Sequence, residues 1–519
     1  MRKLRIGIVD LLSRQTIGNL YAKTMRANLA AIMPQVLAVW CEEEGHEVSL
    51  AYYNGHQNMV DDLPDTLDIV FIGAFTQSAQ VAYALSNVFR SKGAITALGG
   101  PHARSYPDDA QKYFDYVLGF TDQTVIRDVL QDCSQHRPLG VYRTAAQQPA
   151  QLPGVRARWK HIERLLQEAP WIKIVSMIGS LGCPYTCSFC VDSIVPYQPL
   201  DFDGMKDDLR FLLTKFERPI VGWHDPNFGV RFNDYLDAIE EAVPPDSIDF
   251  IAESTLSLLK EENVKRLKRN GFKAILPGIE SWYDMGYKSK TGKKQGVEKV
   301  DRVAEQVNMI LSYLPYLQAN FVNGLDCDDG PDPFDLTKRF LDLAPGSFPA
   351  FSMLTAFGRS APLNLDYQRE GRVIAFPFHF LNNNGAMNVK PKNYEWPAFY
   401  DLMIDLHQHA FSRRAIYRRI KANKGWIPRT MNVVRAISFE GWGKTKYFQE
   451  VRRRLDEDIP FRRFFEQETT EIPSFFVDRI KQEMGPLWEW LPEGALYHDP
   501  NAYLHAPSAP APSVSVATA

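Results

Sequence analysis

Across 519 residues, 59 Lys and Arg stand against 62 Asp and Glu, and a net charge of −3 excludes a general nucleic-acid-binding surface. Hydrophobic residues make up 45% and charged ones 23%, the balance of a soluble globular chain long enough for two to four domains. There is no run of about twenty apolar residues, so no transmembrane segment is expected. The basic start Met1-Arg2-Lys3 leads into a short strand-like run, not into a signal peptide.

In chain order, residues 1–135 alternate strand and helix patterns. Arg5 to Leu12, Val48 to Tyr53, Asp68 to Phe75, Ala94 to Leu98 and Tyr116 to Gly119 read as strands. The third is apolar throughout, as a strand covered on both faces should be. A polar loop, Ser13 to Asn19, follows the first strand. Helical spacing runs through Leu29, Ile32, Val36, Leu37 and Trp40, then Ala79 to Phe89 and Val125 to Leu130. This alternation predicts an α/β, doubly wound, Rossmann-like sheet, whose ligands bind beyond the carboxyl ends of the strands. Residues 136–170, rich in Gln, Pro, Ala and Arg, read as a linker with a short helix over Trp159 to Leu166.

From 171 to 360, six strand–helix units follow, with strands at Ile172–Met177, Ile220–Trp223, Asp249–Ala252, Ala274–Pro277, Leu317–Val322 and Ala350–Thr355. Six units make a partial barrel. Polar residues cluster just after the strands, on the face where barrels carry their chemistry: His224, Asp225 and Asn227, then Glu253, Glu280 and Ser281, Asn323 and Asp326, and Arg359. A mainly helical, aromatic extension is expected over 361–500, placed to cap the barrel mouth and select substrate, and a disordered tail over 501–519. Within the extension, Arg413, Arg414, Arg418, Arg419, Lys421 and Lys424 suit either a solvated helix face or contact with an anionic substrate or membrane surface. His407 and His409 face apart at helical spacing and are no metal pair.

The chemistry centres on Gly182-Cys183-Pro184-Tyr185-Thr186-Cys187-Ser188-Phe189-Cys190. Thiolates suit iron–sulfur clusters and zinc. Structural zinc wants four ligands, and no nearby Cys or His completes the set. Three cysteines hold three irons of a [4Fe–4S] cluster and leave the fourth open. With Cys41, Cys133 and Cys327 scattered, the pattern fits a reducing cytoplasm and a metal site instead of disulfides. Cys327 is either a hydrogen-atom donor, a metal ligand or a plain loop cysteine.

The C-x3-C-x2-C spacing, with Phe189 before the last cysteine, resembles the radical S-adenosylmethionine (radical SAM) superfamily. The resemblance implies a [4Fe–4S] cluster on Cys183, Cys187 and Cys190, with S-adenosylmethionine on its open iron. It also implies a cofactor pocket lined by Phe189, Asp225, Asn227, Glu253, Glu280 and Ser281. Gly278-Ile279-Glu280-Ser281, Thr76-Gln77-Ser78 and Gly99-Gly100-Pro101-His102 resemble members that carry a cobalamin-binding domain. By that likeness Thr76, Ser78, Gly99, Gly100 and His102 are the cobalamin-binding residues. Asp10-Leu11-Leu12 stands where many cobalamin enzymes have Asp-x-His-x-x-Gly, so this loop supplies no histidine to cobalt. The family implies a cobalamin-dependent C-methyltransferase acting on an unreactive carbon, with a flavodoxin- or ferredoxin-type electron donor. A non-methylating radical SAM cyclase or oxidase is the alternative, and a non-enzymatic cobalamin or redox sensor a third reading. The aromatic extension suggests an apolar substrate such as a lipid, tetrapyrrole or natural product.

Overall fold

The computed structural model describes residues 2–12, 30–53, 63–133, 139–168, 172–185, 187–289 and 291–504. The expected polar loop at 13–19, residue Leu29, Thr186 within the cysteine motif and the tail from 505 on lie outside these residues.

The first sheet holds β1 (Arg5–Leu11), β2 (Glu47–Tyr53), β3 (Ile69–Gly73), β4 (Ile95–Gly99), β5 (Tyr116–Leu118) and β6 (Val141–Arg143), all parallel, in the order β2-β1-β3-β4-β5-β6. β1 and β3 are apolar and buried because helices cover both faces of the sheet. The order reverses direction at β1, which opens a crevice at the carboxyl ends of β1 and β3.

The linker expectation fails in part. Val141–Arg143 joins the sheet as its sixth strand, and Val155–Glu168 forms a full helix packed against Ile32–Glu43. Three residues are too few to show a sequence period, which is why composition alone read them as irregular. The helix is held at its start by Asp208, whose carboxylate accepts from the Val155 and Arg156 amides at 2.7 and 3.1 Å.

The second sheet runs β14-β13-β12-β11-β10-β7, parallel throughout and open between its ends. Its strands are β7 (Ile174–Met177), β10 (Ile220–Trp223), β11 (Asp249–Thr255), β12 (Phe272–Glu280), β13 (Tyr316–Asn323) and β14 (Phe348–Met353). A two-stranded ribbon, β8 (Ser180–Leu181) with β9 (Gln198–Pro199), ties the two ends of the cysteine loop together. In β13, buried Leu317, Ala319 and Phe321 alternate with part-exposed Gln318, Asn320 and Val322, which face the barrel interior.

The helical extension covers the exposed edge at β14. Arg419 donates to the Ser347 carbonyl at 3.0 Å, Lys444 lies 3.3 Å from the Phe351 carbonyl, and the helix Trp396–Ala410 packs on the last barrel helix, Asp332–Leu343. Arg419 is therefore buried, not part of a solvated face. The extension also returns to the first domain: Phe378–Phe380 packs on the Thr76–Ser78 turn, and Gly485–Trp490 packs on the helix Ala79–Ser91. His407 and His409 do point apart; the first is fully buried against Phe351 and Phe448, the second lies beside Asp342.

Candidate functional site

The cysteine loop starts where β7 and the β8–β9 ribbon end. Gly182 opens it at φ +66, and a Cβ there would sit 2.4 Å from the Pro196 carbonyl oxygen, so only glycine lets the loop fold back on itself. Cys187 is buried; Cys183 and Cys190 are half-buried. The Cys187 thiol meets the Tyr287 hydroxyl at 3.2 Å, and Cys190 Sγ accepts from the Asp192 amide at 3.4 Å. Burial pushes the Cys190 thiol up to about 12 and Cys183 upward as well. After burial, the charge of Cys187 raises both of the other thiols further. The three do not converge on a point: among the described residues no three His, Cys, Asp or Glu side chains form a metal cage. Neutral thiols find local partners, whereas ligation demands thiolates and releases the protons. Three soft donors with no histidine or carboxylate between them fit an iron–sulfur cluster by donor type.

Around this loop the polar residues at the barrel strand ends separate into two kinds. Asp225 is buried, and its carboxylate is fully used. It accepts from the Gly179 amide at 3.0 Å, from the Ser180 hydroxyl at 2.7 Å and from the Tyr235 hydroxyl. It therefore braces the turn that launches the cysteine loop and faces its own chain, not a ligand. Asn227 is also buried, but neither its amide nitrogen nor its oxygen has a partner. An orphaned buried amide costs about 1–3 kcal/mol and points to a missing ligand.

Glu253 is exposed near the carboxyl end of β11. Desolvation, then the neighbouring Glu280 and Asp192, lift its carboxyl to about 7, against the pull of Lys288. Glu280 pairs with Lys288 at 2.6 Å with both side chains largely covered. Its backbone sits at φ +67, beside a register shift in the β12–β13 pairing. A non-glycine residue in that region costs of order 1–3 kcal/mol and is held there by its surroundings, a mark of functional sites. Gly278 leaves the space its carboxylate fills: a Cβ there would lie 2.1 Å from Glu280 Oε1. The Lys288 ammonium lies 5.7 Å from the Phe189 ring centre, inside the cysteine loop. Burial disfavours its charge, but Glu280 and Cys187 outweigh that and raise it. Ser281 is buried at the same rim, accepts from the Tyr283 amide at 3.1 Å and lies 3.5 Å from Cys327 Sγ, which is itself exposed.

At the first domain's rim, Thr76 and Ser78 are buried in a tight turn after β3, and the Ser78 hydroxyl has no partner. Gly99 ends β4 with open space where a side chain would project; Gly100 at φ +95 lies against Ala74. His102 sits elsewhere in function. It is fully buried, meets the Tyr83 hydroxyl at 2.6 Å, and Tyr83 donates to Asp109 at 2.8 Å. Burial holds the imidazole down to about 3, so it is neutral. Phe378 and Tyr106 pack over it. The histidine is a core residue behind the rim.

The two rims face each other. Arg104, just past Gly99-Gly100, acts on Asp192 in the cysteine loop, which burial raises and the guanidinium lowers. Arg359, after β14, donates to the Arg104 carbonyl at 3.0 Å and to the Tyr142 hydroxyl at 3.1 Å. Ser105 and Ser360 share a hydrogen bond at 2.7 Å, and the Leu363 amide reaches the Ser188 carbonyl in the cysteine loop at 3.1 Å. The barrel exit thus latches the first domain onto the cysteine loop. A cavity of about 320 Å³ runs from Gln77 past Gln318, Asn320 and Ser352 to Arg435 and Lys444 of the extension.

Sequence reasoning missed Lys288, Tyr287, Asp192 and Arg104. Lys288 lies in a stretch with Lys290, Lys293 and Lys294 that reads as solvated surface, and only the strained turn at Glu280 brings it inward. Asp192 follows Cys190 by two residues, a signal that was available.

No protein-family profile matches the chain. It is 22% identical over 372 residues to the bacteriochlorophyllide d C-12(1)-methyltransferase of Chlorobaculum tepidum, covering 69% of this chain and 78% of that protein. It is 22% identical over 413 residues to the bacteriochlorophyllide d C-8(2)-methyltransferase of the same organism, covering 76% and 88%. Among solved structures, the radical S-adenosylmethionine methyltransferase TsrM from Kitasatospora setae, with tryptophan and a SAM analog bound, superposes with a TM-score of 0.53 at 13% identity over 72% of this chain and 78% of that one. The cobalamin-dependent radical enzyme OxsB with aqua-cobalamin bound gives 0.53 at 12% identity over 94% and 80%. The resemblance read from the cysteine loop and the Gly-Gly-Pro-His turn is borne out, and the fold is that of these two-cofactor proteins.

Proposed function

We infer that this chain is a cobalamin-dependent radical SAM enzyme, a C-methyltransferase acting on an unreactive carbon. The observation that carries this reading is the facing pair of rims. A loop of three cysteines and a sheet end with an orphaned hydroxyl and an open glycine are latched together by Arg359 and the Ser105–Ser360 bond. When bound, the [4Fe–4S] cluster, S-adenosylmethionine and cobalamin supply one-electron cleavage and methyl transfer; the protein binds, aligns and shields them.

Each residue then has a task. Cys183, Cys187 and Cys190 hold the cluster. Asp225 fixes the turn ahead of them. Asn227, Glu253 and the strained Glu280–Lys288 pair line the cleft where the amino-acid part and ribose of S-adenosylmethionine bind, with Phe189 and Ser281 at its edge. Ser78, Thr76 and Gly99 receive the cobalamin tail, and the neutral His102 is a support behind them.

The cavity reaching Gln318, Asn320, Arg435 and Lys444 is the substrate chamber in this reading. The expectation of an apolar substrate came from the aromatic extension; part of its rings form its own core, where Phe376, Phe461, Phe464, Phe465 and Phe476 pack on one another, and Phe380, Phe439 and Tyr447 reach the chamber. The chamber wall mixes these rings with Gln318, Asn320, Arg435 and Lys444, suited to an apolar substrate with polar edges. The two curated relatives act on bacteriochlorophyllide d, so a tetrapyrrole is the first substrate to test. We place the protein in the cytoplasm with a flavodoxin- or ferredoxin-type donor, a reading supported by six unpaired cysteines. No helix among the described residues is long and apolar enough to cross a membrane.

The test is anaerobic reconstitution with the cluster and cobalamin, followed by product analysis. Methyl transfer yields both S-adenosylhomocysteine and 5′-deoxyadenosine. 5′-Deoxyadenosine alone supports the cyclase or oxidase reading, and neither product supports a sensor.

A further inference from the structure

The extension carries a surface that the catalytic site does not use. The helices Arg413–Ala422 and Trp426–Ile437 meet at the turn Asn423-Lys424-Gly425. Large apolar side chains stand open here: Trp426, 75% exposed, and Ile427, 55%, directly after the turn, and Tyr417, 58%, on the helix before it. Single exposed apolar residues are ordinary, but a cluster of this size on one tip is not.

The charges there are one-sided. From Leu406 to Phe439 the sequence contains no Asp or Glu. Arg413, Arg414, Lys421, Lys424 and Arg429 are exposed, and none pairs with a carboxylate among the described residues. The other basic residues of the stretch are engaged: Arg418 with Asp342, Arg435 with Glu440, and Arg419 with two backbone carbonyls. The tip is held rigidly, because Asn423 donates to the Gly346 carbonyl at 2.8 Å, just before β14.

We propose that this tip is a docking surface for an anionic lipid bilayer. Tryptophan and isoleucine enter the headgroup zone while the surrounding cations meet lipid phosphates; each basic residue near such a surface adds about fivefold in affinity. A second copy of the chain meeting the same patch across a two-fold axis would set like charges against each other. A polyanion such as RNA would engage the cations but leave Ile427 without a role. Arg435 lies nine residues beyond Trp426 on the same helix, roughly 13 Å away, and stands in the wall of the cavity described above. Docking by this tip therefore brings that cavity close to the bilayer surface. The proposal is independent of the reaction and stands or falls without it.

The test is co-sedimentation of the full chain with phosphatidylcholine vesicles made with and without phosphatidylglycerol. Binding is expected only with phosphatidylglycerol, and should weaken with added salt. Trp426→Ser combined with Ile427→Ser, and Lys421→Ala combined with Lys424→Ala, should each lower vesicle affinity at least tenfold. Their thermal midpoints should match wild type, since all four side chains are exposed. The proposal is overturned if wild type ignores phosphatidylglycerol, if the variants bind as well as wild type, or if heparin binds as tightly with no dependence on Trp426. It is also overturned if wild type is a dimer that the Trp426→Ser, Ile427→Ser variant dissolves.

Discussion

The two strand-end rims have the same architecture and the same kind of residues, yet they use them differently. Each rim has a polar side chain that looks like a ligand contact in sequence and turns out to brace its own chain: Asp225 through Gly179, Ser180 and Tyr235 in the barrel, and His102 through Tyr83 in the first domain, where its Nε2 is engaged and its buried Nδ1 has no partner. Each also has a neighbour with its hydrogen-bonding capacity unused: Asn227 two residues from Asp225, and Ser78 in the turn after β3. The barrel rim goes further and gathers charge. Glu253, Glu280, Lys288 and Asp192 face one cleft, whereas the first domain's rim offers a hydroxyl and an open glycine. At the two strand ends, Asn227 and Ser78 have side-chain polar atoms buried without partners, whereas the Asp225 carboxylate is fully used.

The largest expected effect tests the barrel rim itself. Single Cys183→Ala, Cys187→Ala or Cys190→Ala variants should lose the cluster and all S-adenosylmethionine cleavage, read by iron content and electron paramagnetic resonance, while still binding cobalamin. Retained iron in any one of them would remove that cysteine from the ligand set.

The next test contrasts the bracing and unpartnered residues of each rim. Asp225→Ala should destabilise the fold by about 3 kcal/mol, because it orphans two hydroxyls and an amide. Asn227→Ala removes the orphaned amide and should not destabilise the fold, yet should weaken S-adenosylmethionine binding severalfold or more by equilibrium dialysis. In the first domain, His102→Ala should cost about 2–3 kcal/mol by leaving a cavity and removing one of the two hydrogen bonds of the Tyr83 hydroxyl. Ser78→Ala should leave stability unchanged and lower cobalamin retention. Should Asp225→Ala prove as stable as wild type, or Asn227→Ala bind the cofactor normally, the division into bracing and unpartnered groups is wrong.

A smaller effect concerns pH. Glu253, lifted to about 7, is neutral below that and anionic above it. A cationic ammonium in the cleft is gripped by the anion, so S-adenosylmethionine affinity should rise through pH 7 in wild type and lose that rise in Glu253→Gln. The smallest effect is on stability. Burial lifts the Asp10 carboxyl from 3.8 to about 7. The unfolded chain ionises first as pH climbs, so this group's contribution to stability is lost between those values. Asp10→Asn should raise the denaturation midpoint at pH 8 and gain little at pH 4.

Much of the fold was legible because strands and helices of an α/β chain advertise themselves by period. The apolar run Ile69–Ile72 and the alternating β13 sit where the pattern places them. β6 was not legible, since three residues carry no period and its pairing with β5 is decided across the sheet. At the site, the cysteine trio and Glu253, Glu280 and Asn227 followed from position after a strand. Lys288 did not, because the left-handed turn at Glu280 alone brings it back to the cysteines.

Local order fixed which residues stand at the two rims, since strand ends and short motifs are properties of neighbours in the chain. Which of them are free to meet a ligand was decided only when distant segments closed around them. Hydrogen bonds from His102 to Tyr83 and from Tyr235 to Asp225, and the latch from Arg359 to Arg104, join residues whose proximity no linear pattern encodes. The unpaired state of Asn227 and Ser78 is likewise a property of the packed interior, where a polar atom must find a partner in the fold or await one from outside.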